Sequence, residues 1–337
     1  MNEFLDSTDQ KENGPQLRER MARDGYLFIR GLLPTEPLEA LRLRFLEIGR
    51  QGDWVKEGTP LAEAVANQDG FCVEPEPRYM EIYHRMYCIP EFHYLQHHPR
   101  LLEFFGHLLD GPVLPHPRLI ARIIFPQREA YTTPPHQDFI PIQGTAETYT
   151  AWFPLSTLTP DMGGLKVAVG SHRSGVYEFR PALGAGGLEI TDDLSARWVG
   201  GSFEQGDVLI FHSMMVHSGV PSSGARLRLS VDARYQRADA PIAPGSLQPH
   251  SQPHTWEEIY AEWPDQRLQY YWRDLDLEMK EYDASYHQER DRQALELAAK
   301  GDVRTISTLQ RIIARDADPK KRQQAAALLA SFDVDKV

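Results

Sequence analysis

The stretch from Val113 to Gln236 most limits what this chain can fold into, because it is a series of short apolar runs broken by prolines and glycines. Such runs indicate β structure. Ahead of it, residues 16–24 predict a short helix that ends at Gly25, residues 26–30 a strand, and a second helix follows Thr35. That helix has a stripe of the spacing that buried faces show, formed by Leu38, Leu41, Phe45 and Ile48. We expect the helices to buttress a β core.

A His-x-Asp pair lies inside the β region, at His136 and Asp138. In an extended strand alternate side chains point the same way, so the two residues can chelate one ion. A second strand-like segment, residues 206–217, supplies His217. Two imidazoles and one carboxylate on one face of an octahedron suit a non-haem Fe(II) oxygenase. The sequence therefore predicts that these three residues bind iron and form the catalytic centre.

The segment 206–217 contains a second histidine, His212, and strand alternation separates the two. In a regular strand His217 shares a face with Ser213 and Met215, whereas His212 points the other way. A bulge between them would undo this argument. We predict His217 as the ligand.

Eleven positions after His217 comes Arg228, followed by Ser230. Leu227, Leu229 and Val231 form the apolar face of this strand, so the arginine and the serine share the other face. A guanidinium donates two parallel hydrogen bonds to a carboxylate, and a hydroxyl adds a third. The pair predicts an anion clamp that would fit a dicarboxylate co-substrate, the alternative being a solvated strand face.

Several motifs together resemble the phytanoyl-CoA dioxygenase-like family of Fe(II)/2-oxoglutarate-dependent oxygenases. The resemblance extends from about Leu17 to Gln236. The motifs that carry it are Pro135-His136-Gln137-Asp138, Thr150-Ala151-Trp152-Phe153-Pro154-Leu155, Gly163-Gly164-Leu165, Gly170-Ser171-His172, Gly206-Asp207-Val208, His217 and Arg228-x-Ser230.

This resemblance implies a mainly β fold with helices, in which N-terminal helices buttress a double-stranded β-helix (jelly roll, cupin-like) core. It implies Fe(II) as metal, 2-oxoglutarate as co-substrate and O2, with His136, Asp138 and His217 as ligands. Arg228 and Ser230 would hold the distal carboxylate of 2-oxoglutarate. Trp152 matches a tryptophan that lines the co-substrate pocket in relatives, although an aromatic packed in the barrel wall is an equal reading. Relatives that halogenate lack the carboxylate ligand, so Asp138 favours hydroxylation-type chemistry.

The chain divides into three parts in this interpretation. Residues 1–14 are polar and without periodicity, which predicts a disordered tail. Residues 15–240 form the oxygenase domain, and residues 241–337 a largely helical C-terminal extension that the resemblance does not cover. We expect the extension to pack on the domain or to form a homo-oligomer. Its aromatic cluster, Tyr260, Trp263, Tyr270, Tyr271 and Trp272, is expected in a core rather than as a ligand platform.

Composition and net charge limit the kinds of molecule that this protein is expected to bind. A net charge of −12 and a pI near 5.5 argue against a nucleic-acid-binding surface, which needs a concentrated basic face. Cys72 and Cys88 cannot define a disulfide framework, and the sequence contains no signal peptide or apolar span. We therefore expect a cytoplasmic protein that works on a small molecule, away from membranes.

The leading hypothesis is a dioxygenase that hydroxylates a small-molecule substrate and releases succinate and CO2, with secondary metabolism as one setting. The same cofactor chemistry also serves desaturation, cyclisation and epimerisation, and the sequence does not separate these outcomes. A non-catalytic cupin-like binding protein is an alternative from a different class. A zinc hydrolase would leave Arg228 and Ser230 without a role. Substrate specificity is expected to depend on inward-facing residues such as Arg122, Tyr131, Gln137 and Thr148.

Overall fold

The computed structural model describes residues 2–184, 187–250 and 254–332. The helices are α1 (Gly14–Asp24), α2 (Thr35–Gln51), α3 (Pro77–Tyr87), α4 (Pro90–Leu95), α5 (Pro99–Leu109), α6 (Phe139–Ile142), α7 (Trp256–Tyr260), α8 (Ser285–Ala298), α9 (Ile306–Arg315) and α10 (Pro319–Leu329). The strands are β1 (Asn2–Glu3), β2 (Tyr26–Ile29), β3 (Val113–Pro115), β4 (Ile120–Ile124), β5 (Tyr149–Pro154), β6 (Gly164–Ala168), β7 (Phe179–Pro181), β8 (Leu188–Ile190), β9 (Trp198–Gly200), β10 (Val208–His212), β11 (His217–Val220) and β12 (Arg228–Arg237).

Two sheets form the barrel. The larger sheet has the order β2-β10-β5-β12-β3, and β4 also pairs with β12. The smaller sheet has the order β1-β9-β6-β11, and His136 adds a bridge to His217 at its edge. From β4 to β12 the chain passes back and forth between the two sheets. This is the topology of a jelly roll, so the predicted double-stranded β-helix is confirmed.

Strand alternation divides the apolar residues between two cores. On β12, Leu229, Val231 and Ala233 contribute to the core that lies between the larger sheet and the helices. On β5, Trp152 contributes instead to a second core between the two sheets. Because successive residues of a strand face opposite sides, Arg228 and the polar residues of alternate parity on β12 face the interior of the barrel.

The N-terminal helices buttress the larger sheet as predicted. Gly25 ends α1 with a positive φ of 82°, a conformation that glycine adopts without steric cost. The stripe of α2 is buried at Leu38, Leu41 and Phe45. Helices α3, α4 and α5 each begin with a proline, which suits the first turn because the missing N–H has no partner there.

The prediction of a disordered tail over residues 1–14 is wrong for its described part, residues 2–14. Strand β1 pairs in parallel with β9. The ring of Phe4 packs 5.0 Å from Phe28 and 5.6 Å from Phe203. Arg20 donates hydrogen bonds to the Asp6 carbonyl and to another residue of this segment. A single buried phenylalanine and backbone pairing therefore order a stretch whose composition is polar.

The first part of the C-terminal extension packs into the main apolar core. Trp256, Trp263 and Trp272 are buried in the same core as the barrel residues, with Tyr260 beside them and Tyr270 and Tyr271 packed at its edge. The prediction that the aromatic cluster is core is confirmed. Helices α8, α9 and α10 follow and share a smaller apolar cluster of their own. The division at residue 240 stays a prediction, since one core spans it.

The described residues contain no helix with the length and apolar composition that a bilayer crossing needs. Cys72 and Cys88 are both free thiols. Homo-oligomerisation through the extension stays a prediction.

Candidate active site

The three predicted ligands come together in the barrel. Ligand atoms of His136, Asp138 and His217 all lie within 4.8 Å of one another, and the three residues are buried or nearly so. The Asp138 Oδ1 atom is 3.9 Å from Nε2 of His136 and 4.0 Å from Nε2 of His217. It is the one such group of three or more histidine, cysteine or acidic residues among the residues described. Its donor set is that of an iron site with open positions.

Backbone pairing sets this geometry. The N–H of His136 donates to the carbonyl of His217 and the reverse bond is also made, both at 3.0 Å. Helix α6 starts directly after Asp138, whose backbone is already right-handed helical at φ −68° and ψ −24°, so the predicted extended strand over His136 to Asp138 is wrong. His136 instead forms an isolated bridge with His217. This bridge and the turn into α6 direct three side chains at one point.

Each imidazole has its Nδ1 atom at a backbone carbonyl. For His136 the partner is the Pro134 oxygen at 2.8 Å, and for His217 it is the Met215 oxygen at 3.1 Å. Because a carbonyl only accepts hydrogen bonds, Nδ1 carries the proton and Nε2 presents its lone pair to the centre. Burial lowers the pKa of His136 to about 3 and also lowers the pKa of His217, which keeps both rings neutral.

Two side chains restrain the Asp138 carboxylate by hydrogen bonds to one of its oxygen atoms. Its Oδ2 atom accepts hydrogen bonds from Thr150 Oγ1 at 2.7 Å and from Arg234 Nη2 at 3.1 Å. Burial by itself would raise the pKa of Asp138, but the charge of Arg234 and the hydrogen bond from Thr150 hold it well below its usual range. Oδ1 therefore remains free as an anionic ligand atom.

The structure separates His212 from His217 as predicted, but for a different reason. The segment 206–217 is not one strand: β10 ends at His212 in the larger sheet, and β11 begins at His217 in the smaller one. His212 points to Glu147, with Nε2 and Oε1 3.5 Å apart. A change of sheet, rather than strand parity, gives the two histidines different surroundings.

A small space adjoins the triad, and we call it the inner cavity. Its lining includes His136, His217, Trp152, Arg228 and Asp232. The Arg228 guanidinium carbon lies 6.0 Å from the centre of the Trp152 ring. The predicted co-substrate residues Arg228 and Trp152 thus share one space with two of the three triad residues.

The predicted anion clamp, Arg228 and Ser230, contains buried polar atoms without hydrogen-bond partners. Arg228 is 4% exposed and Ser230 1% exposed. Nη1 of Arg228 donates to the Gly164 carbonyl at 2.5 Å, but its Nε atom and the Ser230 hydroxyl find no hydrogen-bond partner among the described residues. Burial lowers the pKa of Arg228 to about 10, so the group stays cationic near neutral pH. Since buried polar groups are normally satisfied, these atoms fit an anionic ligand such as the far carboxylate of 2-oxoglutarate.

A second space adjoins the triad on another side, and we call it the arginine-rich cavity. Of the residues expected to set specificity, Arg122 and Gln137 line it, whereas Tyr131 and Thr148 do not. The Gln137 amide donates to the carbonyls of Gly175 and Met214 and so serves mainly to tie loops together.

Sequence reasoning missed two residues that hold Asp138. Arg234 lies on β12 with the parity of Arg228 and is buried, whereas the alternative of a solvated strand face would leave it exposed. The available signal in the sequence was that Arg234 lies an even number of residues after Arg228 on the same strand, and so on the same face. Thr150 lies within a quoted motif, yet nothing in the sequence marked its contact with Asp138.

The residues from the C-terminal extension that line the arginine-rich cavity were also missed. They are His250, His287, Arg290, Arg311 and Arg315. No spacing relates them to the triad, which lies far away along the chain.

Comparison with known proteins gives consistent matches. Residues 21–230 match the model of the family described as phytanoyl-CoA dioxygenase (PhyH). The chain is 26% identical over 258 residues to the 1-deoxypentalenic acid 11-beta-hydroxylase of Streptomyces exfoliatus, covering 71% of this chain and 87% of that protein. The enzyme of the same name from Streptomyces arenae is 26% identical over 261 residues, covering 69% and 87%. Among solved structures, the epimerase SnoN in complex with Fe3+, alpha ketoglutarate and nogalamycin RO is similar with 20% identity and a TM-score of 0.49, covering 69% of this chain and 86% of that one.

A jelly roll with a His-Asp-His cluster beside a buried cationic clamp defines the class of Fe(II)- and 2-oxoglutarate-dependent oxygenases, which use O2. The family match covers more than half of the chain. The chain belongs to the phytanoyl-CoA dioxygenase family and is an oxidoreductase of that class.

Proposed function

We propose that this oxygenase hydroxylates a small organic substrate, with release of succinate and CO2, and that His136, Asp138 and His217 hold its iron. The observation that carries the proposal is the buried His-Asp-His cluster together with the unpartnered polar atoms of Arg228 and Ser230 on β12, where Arg228 lines the same cavity as His136 and His217. The names of the two Streptomyces relatives, both hydroxylases, support the outcome at the substrate.

The chain's own residues prepare the site. The carbonyls that accept from Nδ1 of His136 and His217 fix the orientation of both rings. Arg234 and Thr150 restrain Asp138, so that one carboxylate oxygen is left for the metal. Bound Fe(II), with 2-oxoglutarate and O2, supplies the oxidising power that no side chain has.

Arg228 and Ser230 would hold the distal carboxylate of 2-oxoglutarate, and Trp152 would form a wall of its pocket. Charge-assisted hydrogen bonds of this kind contribute about 1.5–3 kcal/mol each. Because Arg228 and Ser230 are almost fully buried, these bonds would lie in a low-dielectric setting and keep their strength. The two residues would thus orient the co-substrate from its far end, and the triad would hold the iron.

The test is an anaerobic titration of the metal-free protein with Fe(II) and then with 2-oxoglutarate. We expect the visible absorption band of a chelated keto acid to appear in the wild type. It should vanish in Asp138→Ala and need far more 2-oxoglutarate in Arg228→Ala. A folded wild-type protein without the band would contradict the proposed site.

Product mass then identifies the outcome. A gain of one oxygen atom marks hydroxylation, a loss of two hydrogens marks desaturation or oxidative ring closure, and an unchanged mass marks epimerisation. Either of the last two results would replace hydroxylation while leaving the assignment of the site intact.

We also propose that the protein acts in a reducing cytoplasm, in secondary metabolism. The free thiols of Cys72 and Cys88 support the compartment. The hydroxylase relatives support the setting.

A further inference from the structure

The arginine-rich cavity joins the triad to the C-terminal extension. Its lining includes His136 and Asp138, and it also includes residues of α8 and α9. Six arginines contribute to it in a chain whose net charge is −12. They are Arg118, Arg122, Arg234, Arg290, Arg311 and Arg315. This concentration of positive charge runs against the overall charge of the protein.

Three of the six arginines have a carboxylate partner. Arg122 Nε lies 3.1 Å from Asp232 Oδ2. Arg290 Nη2 lies 2.6 Å from the neighbouring Asp291. The third, Arg234, is paired with Asp138 as described above. Each of these three guanidiniums therefore has a carboxylate partner within the protein, although Asp291 is shared with Lys321.

The other three, Arg118, Arg311 and Arg315, form no ion pair with any described residue. Arg118 donates to the Gly245 carbonyl at 3.0 Å, and Arg311 donates to the carbonyls of Ser307 and Gly184 at 3.1 and 3.0 Å. Arg315 is exposed and makes no hydrogen bond to a described residue. Backbone carbonyls orient the guanidiniums of Arg118 and Arg311 without neutralising them.

The carboxylate of Glu74 lines the same space, and it is neither in an ion pair with a described residue nor part of the triad. Burial by itself would raise its pKa, but His250, Arg311 and other cations lower it to about 2. Three guanidiniums against this single carboxylate leave a surplus of two positive charges. Burial, reinforced by neighbouring arginines, lowers the pKa of Arg311 to about 10, which shows that the cation is poorly compensated where it stands.

We propose that Arg118, Arg311 and Arg315 bind an oxyanion group of the substrate, a phosphate monoester or a carboxylate, and so position the rest of the molecule at the triad. This inference rests on the proposed function, because the triad is the reacting centre toward which the substrate is held. Arginine suits the role since its planar fork matches both oxyanions. Two of the three residues lie on α9, beyond the part of the chain that the family model matches.

The test uses the full chain loaded with Fe(II) and 2-oxoglutarate in the absence of O2, so that the inner cavity is filled. Calorimetric titration compares phenyl phosphate and benzoate with neutral benzamide, which has a similar size. We expect at least one of the anions to bind about tenfold or more tightly than benzamide, because each charge-assisted bond is strong in a partly buried site. The order of the two anions identifies the group.

Variants connect binding to the named residues. Arg311→Gln should weaken binding of the preferred anion about tenfold or more, and exposed Arg315→Gln about threefold. Glu74→Gln should strengthen binding, since it removes a competing carboxylate, and a merely structural role for this residue does not predict that sign. Arg292→Gln is the matched control: this arginine lies on α8, is exposed and pairs with Glu289.

Three results would overturn the proposal: equal binding of benzamide and the anions, no binding of either anion, or unchanged binding in Arg311→Gln and Arg315→Gln. Arg315 contacts no described residue by hydrogen bond, so its variant has no structural reason to misfold. The keto-acid absorption band, recorded in the same samples, keeps the two proposals distinguishable. If the band is present and anion binding is absent, the substrate class is wrong; if the band itself is absent, the proposed iron and 2-oxoglutarate site is wrong.

Discussion

The inner cavity and the arginine-rich cavity share Arg122 and His136 but are otherwise built from different parts of the chain. The inner cavity is lined by residues between Arg122 and Asp232, on barrel strands and their connections. The arginine-rich cavity takes its lining from Glu74 through Arg315 and includes two helices of the C-terminal extension. Under the proposed function the barrel would hold the reaction chemistry, while elements outside it would shape the space for the substrate.

The largest expected effect is at the metal, where both cavities would fail together. His217→Ala should weaken Fe(II) binding more than about 100-fold, since loss of an outer-shell partner alone costs 10–100-fold. Iron content after equilibration and succinate formation measure this. His212→Ala is the matched control and should keep its iron, because that ring faces Glu147. Loss of iron in both variants would mean that the change acts through the fold.

The second prediction asks whether the extension and the barrel unfold together. Trp256 is buried, its ring lies 5.1 Å from that of Trp272, and its indole N–H donates to the Leu247 carbonyl. Trp256→Ala should lower the free energy of unfolding by about 3 kcal/mol or more, through a single thermal transition. Exposed Leu275→Ala should change it by less than about 0.5 kcal/mol. Two separate transitions would show that the two parts are independent.

The third prediction separates the inner cavity from the metal. Arg228→Ala should raise the 2-oxoglutarate concentration needed for half-saturation about 10- to 100-fold and leave Fe(II) affinity within about twofold, because the residue binds only the far carboxylate. Titration of the keto-acid band measures both. Arg226→Ala, exposed just outside β12, should match the wild type. An equal loss of iron and 2-oxoglutarate would indicate a structural role for Arg228.

The smallest effect is expected at a residue that restrains a ligand. Thr150→Val keeps the shape of the side chain but removes the hydrogen bond to Asp138, which should cost about 1 kcal/mol, or roughly fivefold in Fe(II) affinity. Thr148→Val is the control, because that hydroxyl donates to the Thr145 carbonyl and not to the carboxylate. Identical Fe(II) affinities in the two variants would remove Thr150 from the site.

Most of the inner cavity was predictable from the sequence, because local rules apply to it. The parity of Arg228 and Ser230 follows from the geometry of β12. The spacing of His136 and Asp138 indicated a shared ion, but the two residues converge through a bridge to His217 and a turn into α6 rather than within one strand. His217 rather than His212 joins the cluster, but the change of sheet that places it there depends on pairing with β6, which the local pattern does not encode.

The arginine-rich cavity was not predictable in the same way. Arg311 and Arg315 look like the solvated positions of an amphipathic helix, and only the packing of α9 brings them to the cavity. The ordered N-terminal segment was missed for a related reason. Its one buried aromatic side chain, Phe4, has no periodicity, and it becomes informative only when Phe28 and Phe203 are seen beside it.

The pairing of β2 with β10 affects how the chain folds while it is being synthesised on the ribosome. Residues 26–29 must pair with residues 208–211. At a synthesis rate of 5–20 residues per second, the earlier strand waits about 10–35 s for its partner to be made. Both sheets close only after β10 and β11 have emerged, so the apolar surfaces of the N-terminal helices stay unprotected for that time. Protection by a chaperone during this interval would therefore raise the yield of active enzyme.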